Sequence, residues 1–323
     1  MKKKHKSNRR NRRRKLKRIR NLSITVIFMG LLSILALKLS AHNSDTAIYD
    51  YNAETSVCLE NTFATTVQTT YSATNSKEDN NSTIITEYVV KDTRLDADME
   101  SRLALLAGED SEIAEIYAAR NSYPEEVLTA LVNNLELKEF VKGYLTADGT
   151  VKGGLSEEEM AQDYPLLLQW DSRWGYSPYG KNNIGISGCG PTCMSMVIYA
   201  LTRNASATPD TLAAYSMDNG YYSQGAGTTW LFMTDAAKKY GLCANELGLD
   251  EAVMKQYLDL GHPIICAMRP GDFTTVGHFI MIYGYDENGF LINDPNSRER
   301  SSKHWDFDTL HYQIKNLWGY YKA

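Results

Sequence analysis

The sequence predicts an α+β fold for its C-terminal domain, with a helix-rich first half and an antiparallel sheet in the second half. Helices are indicated by the start signal at Thr208 and Pro209 and by two stretches, residues 228–240 and 250–260, that close at Gly241 and Gly261. Strands are indicated by the apolar runs PIICAM, HFIMIYGY and FLIN. Helices followed by strands within one domain are typical of the α+β class.

Charge is distributed unevenly along the 323 residues. Thirteen of the 34 Lys and Arg residues lie within residues 1–20, and the first acidic residue is Asp45. The remaining chain carries 21 basic against 39 acidic side chains, a formal charge of −18. A basic arm therefore precedes an acidic body that would repel phosphates, which argues against nucleic acid as a partner.

An apolar run, NLSITVIFMGLLSILALKLSA, follows the basic arm at residues 21–41. Its 17 uncharged residues before Lys38 are near the lower limit for spanning a hydrocarbon core of ~30 Å. Because the basic cluster comes first, we predict a single-pass membrane anchor with residues 1–20 in the cytoplasm and the body outside the cell. The alternative is a cleaved signal peptide, which would also export the body.

Three segments are predicted between this anchor and the C-terminal domain. Residues 42–92 are rich in Ser, Thr and Asn without apolar periodicity, which indicates a flexible spacer. Residues 93–145 show helical spacing, and Pro124 is well placed to open one of the helices. Residues 146–154, TADGTVKGG, are interpreted as a linker, so the C-terminal domain is assigned to residues 155–323.

The cysteine count is odd, which is unusual for an exported chain. At least one thiol is left unpaired or pairs with another molecule, and a free thiol outside the cell suggests a function. Nothing in the spacing indicates a disulfide scaffold. The five cysteines are Cys58, Cys189, Cys193, Cys243 and Cys266.

The segment SGCGPTCMSMVIYALT predicts a buried helix that begins near Cys189. Gly188, Gly190 and Pro191 form a tight entry, with proline in the first turn. The helix dipole at that end favours an anion and therefore the thiolate form of Cys189. The alternative is an inert buried cysteine. The apolar stripe consists of Cys193, Met196, Val197, Ala200 and Leu201.

Two other interpretations of the CGPTC motif are disfavoured by spacing. A dithiol redox site needs two residues between the cysteines, whereas three separate Cys189 from Cys193. A zinc site formed by both cysteines and His278 lacks the paired ligand spacing of such sites.

His278 is the candidate base for Cys189, because it begins the apolar strand HFIMIYGYD. In the next strand Phe290, Ile292 and Asp294 alternate onto one face. A hairpin of the two strands brings Asp294 within reach of His278 as the third member of a triad. The alternatives are a hydrogen-bonded strand histidine and a turn aspartate before proline. The other histidines lie outside the domain or in loop and polar sequence: His5, His42, His262, His304 and His311.

The motifs GCGPTC, GHFIMIYGYD and NDP, in this order, resemble the papain-like cysteine peptidases of the double-glycine leader (bacteriocin-processing) type, and especially their stand-alone exported relatives in Gram-positive bacteria. The resemblance spans about residues 165–318. It implies a papain-like domain in which Cys189 is the nucleophile, His278 the general base and acid, and Asp294 the orienter of the imidazole.

The resemblance also implies an upstream glutamine that helps to hold the oxyanion. The matching residue is Gln169 in LLLQWDSRWGY, twenty positions before Cys189. Its side-chain amide and the Cys189 backbone N–H would form a two-donor oxyanion hole. The alternative is a glutamine in an ordinary strand flanked by aromatic residues.

The function expected from the sequence is that of a membrane-anchored extracellular cysteine peptidase that hydrolyses peptide bonds through an acyl-thioester. Neither a metal nor an organic cofactor is expected. Two alternatives stay open: a cell-wall (peptidoglycan) amidase on a similar fold, and a catalytically inactive binding module. Nothing in the sequence predicts the oligomeric state.

Overall fold

The structure is a computed structural model that describes residues 99–225 and 227–323. The predicted basic arm, anchor and spacer (residues 1–20, 21–41 and 42–92), together with Cys58, lie outside the described residues. Within the described ranges, no helix has the length and apolar character needed to cross a membrane.

The helices fall into an N-terminal group before residue 146 and a second group within and around the sheet. Two short 3-10 helices, Arg120–Ser122 and Leu135–Leu137, lie in the first group. The α-helices are residues 99–109 (α1), Ser111–Ala118 (α2), Glu125–Asn133 (α3), Lys138–Tyr144 (α4), Glu157–Met160 (α5), Ile184–Ser187 (α6), Cys189–Thr202 (α7), Pro209–Asp218 (α8), Leu231–Lys239 (α9), Glu251–Asp259 (α10), Arg298–Ser301 (α11) and Phe307–His311 (α12).

The strands form one large sheet and two small hairpins. They are Pro178–Tyr179 (β1), Asn182–Asn183 (β2), Tyr222–Ser223 (β3), Gly227–Thr228 (β4), Leu242–Glu246 (β5), Ile264–Met268 (β6), His278–Asp286 (β7), Gly289–Asn293 (β8), His304–Trp305 (β9) and Ile314–Lys322 (β10). The large sheet has the order β5-β10-β6-β7-β8-β9, and all its neighbours are antiparallel. The C-terminal strand β10 therefore inserts between two earlier strands.

The sheet separates two hydrophobic cores, because successive side chains of a strand point to opposite faces. In β7, Phe279 and Met281 enter the core that is covered by α7, α8 and α9. Ile280 and Ile282 enter the core that is covered by α10 and α12. Each large side chain buried in this way contributes roughly 1.5–3 kcal/mol through the hydrophobic effect.

The N-terminal helices form a third core that extends beyond the predicted linker. Leu131 and Leu137 are fully buried there, and they pack with the buried side chains of Leu168 and Trp170, which follow residue 154. The predicted linker itself is hydrogen-bonded to the domain, for example from the Lys152 N–H to the Arg173 carbonyl (2.7 Å). In the described structure, residues 99–145 thus pack on the C-terminal domain through an apolar interface.

The α+β prediction is confirmed as a mixture of helices and an antiparallel sheet. The helix expected near residues 250–260 is α10, where the Asp250 side chain accepts a hydrogen bond from the Val253 N–H and Gly261 follows with a φ of +73°. The helix expected from residue 228 begins instead at Leu231, because Thr228 belongs to the hairpin strand β4. Strands β5 and β10 were not predicted.

Candidate active site

Cys189 is the first residue of α7, as its spacing predicts. Residues 190–199 of this helix are all buried, whereas Cys189 is half-buried. A β-carbon at Gly190 would lie 2.6 Å from Thr228 Oγ1, so only glycine allows β4 to approach the helix so closely. The thiol therefore lies at the N-terminal end of a helix that apolar packing fixes in place, which is the positive end of the helix dipole.

His278 and Asp294 lie side by side at the sheet. His278 is the first residue of β7, and Asp294 comes directly after β8. Their hydrogen bond joins His278 Nε2 to Asp294 Oδ1 over 2.7 Å, and the two residues are 8% and 0% exposed. Since Nε2 contacts the carboxylate, Nδ1 is the ring nitrogen left for another partner.

The electrostatics of this pair favour an imidazolium next to a carboxylate. Burial alone lowers the pKa of His278, but the Asp294 carboxylate and a hydrogen bond with Cys189 raise it above its ordinary value. Burial likewise raises the pKa of Asp294, but His278 and Arg300 together bring it below its ordinary value. Cys189, His278 and Asp294 thus interact in this order, which is the arrangement that the predicted nucleophile, base and orienter would need.

Gln169 is hydrogen-bonded both to the turn after Asp294 and to the segment before Cys189. Its backbone N–H donates to the carbonyl of Pro295, directly after Asp294 (2.7 Å). Its side-chain Nε2 donates to the carbonyl of Gly185, four residues before Cys189 (2.9 Å). The amide nitrogen carries two protons, so a second donor remains beyond the bond to Gly185. A free amide proton is what the expected oxyanion role needs.

Arg300 is a residue of the site that sequence reasoning missed. Its Nε donates to Asp294 Oδ2 (2.5 Å), while the Asn296 N–H donates to Asp294 Oδ1 (2.7 Å). A fully buried carboxylate needs partners for both oxygens, and His278 alone does not provide them. The run SRER in which Arg300 lies is what one expects of a solvated surface turn, so composition did not reveal this role.

Possible metal ligands do not cluster in the part of the chain that the structure describes. No group of three or more His, Cys, Asp or Glu side chains within residues 99–225 and 227–323 is arranged to hold a metal ion.

Comparison with known proteins identifies a family for most of the C-terminal domain. Residues 161–323 match the model of the Peptidase_C39 like family. The chain belongs to this family. The match covers the whole large sheet, the helix that begins at Cys189 and the turn that carries Asp294. The resemblance predicted from three short motifs is therefore confirmed. No curated protein matches the chain.

Several solved peptidase domains are similar to this member of the Peptidase_C39 like family. The peptidase domain of Streptococcus ComA, a bi-functional ABC transporter, is 20% identical, with a TM-score of 0.31 over 41% of this chain and 93% of that one. A C39-like peptidase from Bacillus anthracis is 16% identical, with a TM-score of 0.31 over 50% and 95%. The peptidase domain of Streptococcus mutans ComA is 24% identical, with a TM-score of 0.25 over 42% and 93%.

Proposed function

We propose that this chain is a cysteine peptidase that hydrolyses peptide bonds with Cys189, His278 and Asp294. One observation carries the proposal: a buried imidazole is hydrogen-bonded to a buried carboxylate and interacts with a half-buried thiol at the start of a buried helix. These are the parts that acyl transfer through a thioester needs.

In the first step, the Cys189 sulfur attacks the carbonyl carbon of the scissile amide while His278 holds the proton of the thiol. The C–N bond then breaks, the imidazolium gives its proton to the leaving amine, and an acyl-thioester remains on Cys189. In the second step, His278 takes a proton from water, which attacks the thioester, and the carboxylate product and the thiol are released. Asp294 keeps the imidazole oriented throughout and stabilises its charged form.

Gln169 is assigned to the oxyanion of both tetrahedral intermediates, together with the backbone N–H of Cys189. Support comes from its bond to Gly185, which fixes the amide beside the turn that leads into α7. A donor held by the protein costs no reorganisation when charge develops on the oxygen, which is why such donors lower the barrier.

Two activity measurements and one thiol-labelling experiment test the proposed peptidase function. The purified full-length chain is incubated with a peptide library and, separately, with peptidoglycan, and Cys189→Ala is the matched control. We expect peptide cleavage that Cys189→Ala lacks. Cleavage of peptidoglycan alone would favour the cell-wall amidase alternative.

Iodoacetamide labelling at neutral pH distinguishes an active site from an inactive module. Burial raises the pKa of the Cys193 and Cys266 thiols, so these two stay protonated and shielded. Only Cys189 among these three is partly exposed and paired with an imidazole, and it should be alkylated first because the thiolate is the reactive form. Equal labelling of all three, with no hydrolysis, would support the binding-module alternative.

We further propose that the peptidase domain lies outside the cell, anchored by residues 21–41. The basis is the sequence alone: thirteen basic residues precede one apolar run. Protease added to intact cells should remove the domain and leave residues 1–20 protected. Protection of the entire chain would contradict this location.

A further inference from the structure

Glu136 lies in the 3-10 helix Leu135–Leu137 of the N-terminal helices, far along the chain from the motifs of the active site. Its carboxylate accepts three hydrogen bonds from the capping residue and the first two residues of α11. The donors are Ser297 Oγ (2.5 Å), Arg298 N (2.8 Å) and Glu299 N (3.2 Å). The first N–H groups of a helix have no partner within the helix, so this carboxylate satisfies them and complements their partial positive charge.

Asn134 makes a second contact from the same segment. Its Nδ2 donates to the carbonyl of Asn296 (2.5 Å), which also accepts a hydrogen bond from Trp170 Nε1 (3.0 Å). Asn134 in turn accepts a hydrogen bond from the Glu136 N–H, which fixes the two clamping residues relative to each other. We call Asn134 and Glu136 the clamp, and residues 295–299 the clamped turn.

The clamped turn is the support of the buried carboxylate of the active site. Asp294 precedes it, and its Oδ1 accepts a hydrogen bond from the Asn296 N–H within it (2.7 Å). Arg300, directly after the turn, holds Oδ2. The Asp294 N–H also donates to Ser301 Oγ in α11 (2.8 Å). Because α11 has four residues, its own hydrogen bonds are too few to fix its orientation, and outside contacts must do so.

We propose that Glu136 is a positioning residue of the active site, which holds the turn that directs the Asp294 carboxylate at His278. The N-terminal helices are therefore part of the catalytic apparatus as well as of the packed core. This inference rests on the proposed function for the role of Asp294, but its physical content is a change at His278 that can be measured without substrate.

Loss of the clamp has a defined consequence for His278. The charged and titratable groups that interact with His278 are Asp294 and Cys189, and those that interact with Asp294 are His278, Arg300 and the buried thiol of Cys193. If the turn loosens, Asp294 spends less time in contact with the imidazole. The Asp294 carboxylate raises the pKa of His278, so that pKa should move down towards its ordinary value of 6.5.

The experiment follows the titration of His278 in the full-length chain by NMR after labelling with ¹⁵N-histidine, with the His278 signals assigned from His278→Gln. In Glu136→Ala we expect the pKa of His278 to fall by about one unit or more, and in Glu136→Gln by less, because the amide oxygen still accepts a hydrogen bond. The alkaline limb of kcat/KM should move to lower pH in parallel.

Glu139→Gln is the matched control, since Glu139 is an exposed carboxylate of the same segment whose partner is Lys142. It should leave the titration of His278 unchanged. An unchanged His278 titration in Glu136→Ala overturns the inference, including the case in which the variant melts at a lower temperature. If Glu136→Ala does not fold, the titration of His278 in Glu136→Gln decides the question in the same way. Failure of the proposed function is a separate result. In that case the wild-type chain would hydrolyse no peptide, whether or not the pKa of His278 changes in the Glu136 variants.

Discussion

Cys189 is held by one long buried helix, whereas Asp294 is held by a short turn that depends on polar contacts from other parts of the chain. Residues 190–199 of α7 are all buried, and the nearest packing partner of Gly190 is Thr228. The support of Asp294 consists of hydrogen bonds and ion pairs with Arg300, Asn296 and, through the clamp, Glu136.

This difference predicts how the surroundings of Cys189 and the surroundings of Asp294 should respond to substitution. Apolar packing is spread over many contacts and has no strict directionality, so the position of the thiol should tolerate the loss of single distant groups. A buried carboxylate is fixed by a few directional bonds, and each missing partner leaves an unpaired charge or donor. Substitutions around Cys189 should therefore affect chemistry, whereas those around Asp294 should affect chemistry, stability and pH dependence together.

The largest expected effect is that of Cys189→Ala. We expect kcat/KM for peptide hydrolysis to fall by about 10³-fold or more, because no other group can form the acyl-enzyme. The fold should be retained, as measured by cooperative thermal melting. Cys266→Ala is the matched control, since this thiol is buried in the core covered by α10 and α12. The kcat/KM of this variant should stay within a few-fold of wild type. Full activity in Cys189→Ala would end the proposed mechanism.

His278→Ala should lose nearly as much activity as Cys189→Ala, because the members of such a unit fail together. Asp294→Ala should lose less activity, since the nucleophile and base are still present. The free energy of unfolding should fall more in Asp294→Ala than in His278→Ala, by about 3–5 kcal/mol relative to wild type, because the buried charge of Arg300 is left without its partner. Activity assays and urea denaturation measure the two effects. Asp294→Ala that is as stable as wild type would remove the contrast between the two sides.

The same contrast explains which parts could be predicted from the sequence. The helix at Cys189 was predicted because its glycines, proline and apolar spacing lie within one short segment. The pairing of His278 with Asp294 followed from strand alternation in one hairpin. Glu136 acts on residues more than 160 positions away, and no local pattern encodes such a contact.

Strand β10 was missed for a related reason. Its residues mix Lys, Asn and Gly with aromatic side chains, so it lacks the continuous apolar run that marks β6. Its place between β5 and β6 comes from pairing with strands that are distant in sequence. Tertiary context therefore decided this strand, as it often does for β-structure.

Gln169→Ala tests the residue that touches both sides. We expect turnover to fall by roughly 10²-fold if the amide donates to the oxyanion, with little change in the charge state of His278. Gln162→Ala is the matched control, because Gln162 also donates to a backbone carbonyl but lies on the surface. Full activity in Gln169→Ala would remove the oxyanion assignment and leave the rest of the mechanism intact.

The smallest expected effect is the pH dependence of stability, compared between wild type and Asp294→Asn. The pKa of Asp294 is lowered in the folded state, so its contribution is present above the ordinary value of 3.8 and is lost as the pH falls through the folded-state pKa. The pKa of His278 is raised, so its contribution is complete below 6.5 and is lost as the pH rises through the folded-state pKa. The stability difference between the two proteins should therefore be largest between pH 3.8 and 6.5 and smaller on both sides.

On the nucleophile side no such dependence is expected for Cys193, which lies in α7. Burial raises the pKa of this thiol, so it stays neutral from acid to neutral pH, and the stability difference between wild type and Cys193→Ala should be flat there. The pKa of His278 is raised by more than one unit, and each unit corresponds to about 1.4 kcal/mol, so the bell-shaped part for Asp294→Asn should exceed about 1 kcal/mol. Thermal melting from acid to alkaline pH for Asp294→Asn, and from acid to neutral pH for Cys193→Ala, measures the two series. A flat difference for Asp294→Asn would mean that His278 and Asp294 are not paired as an imidazolium and a carboxylate, and that the two sides of the site do not differ in the way described.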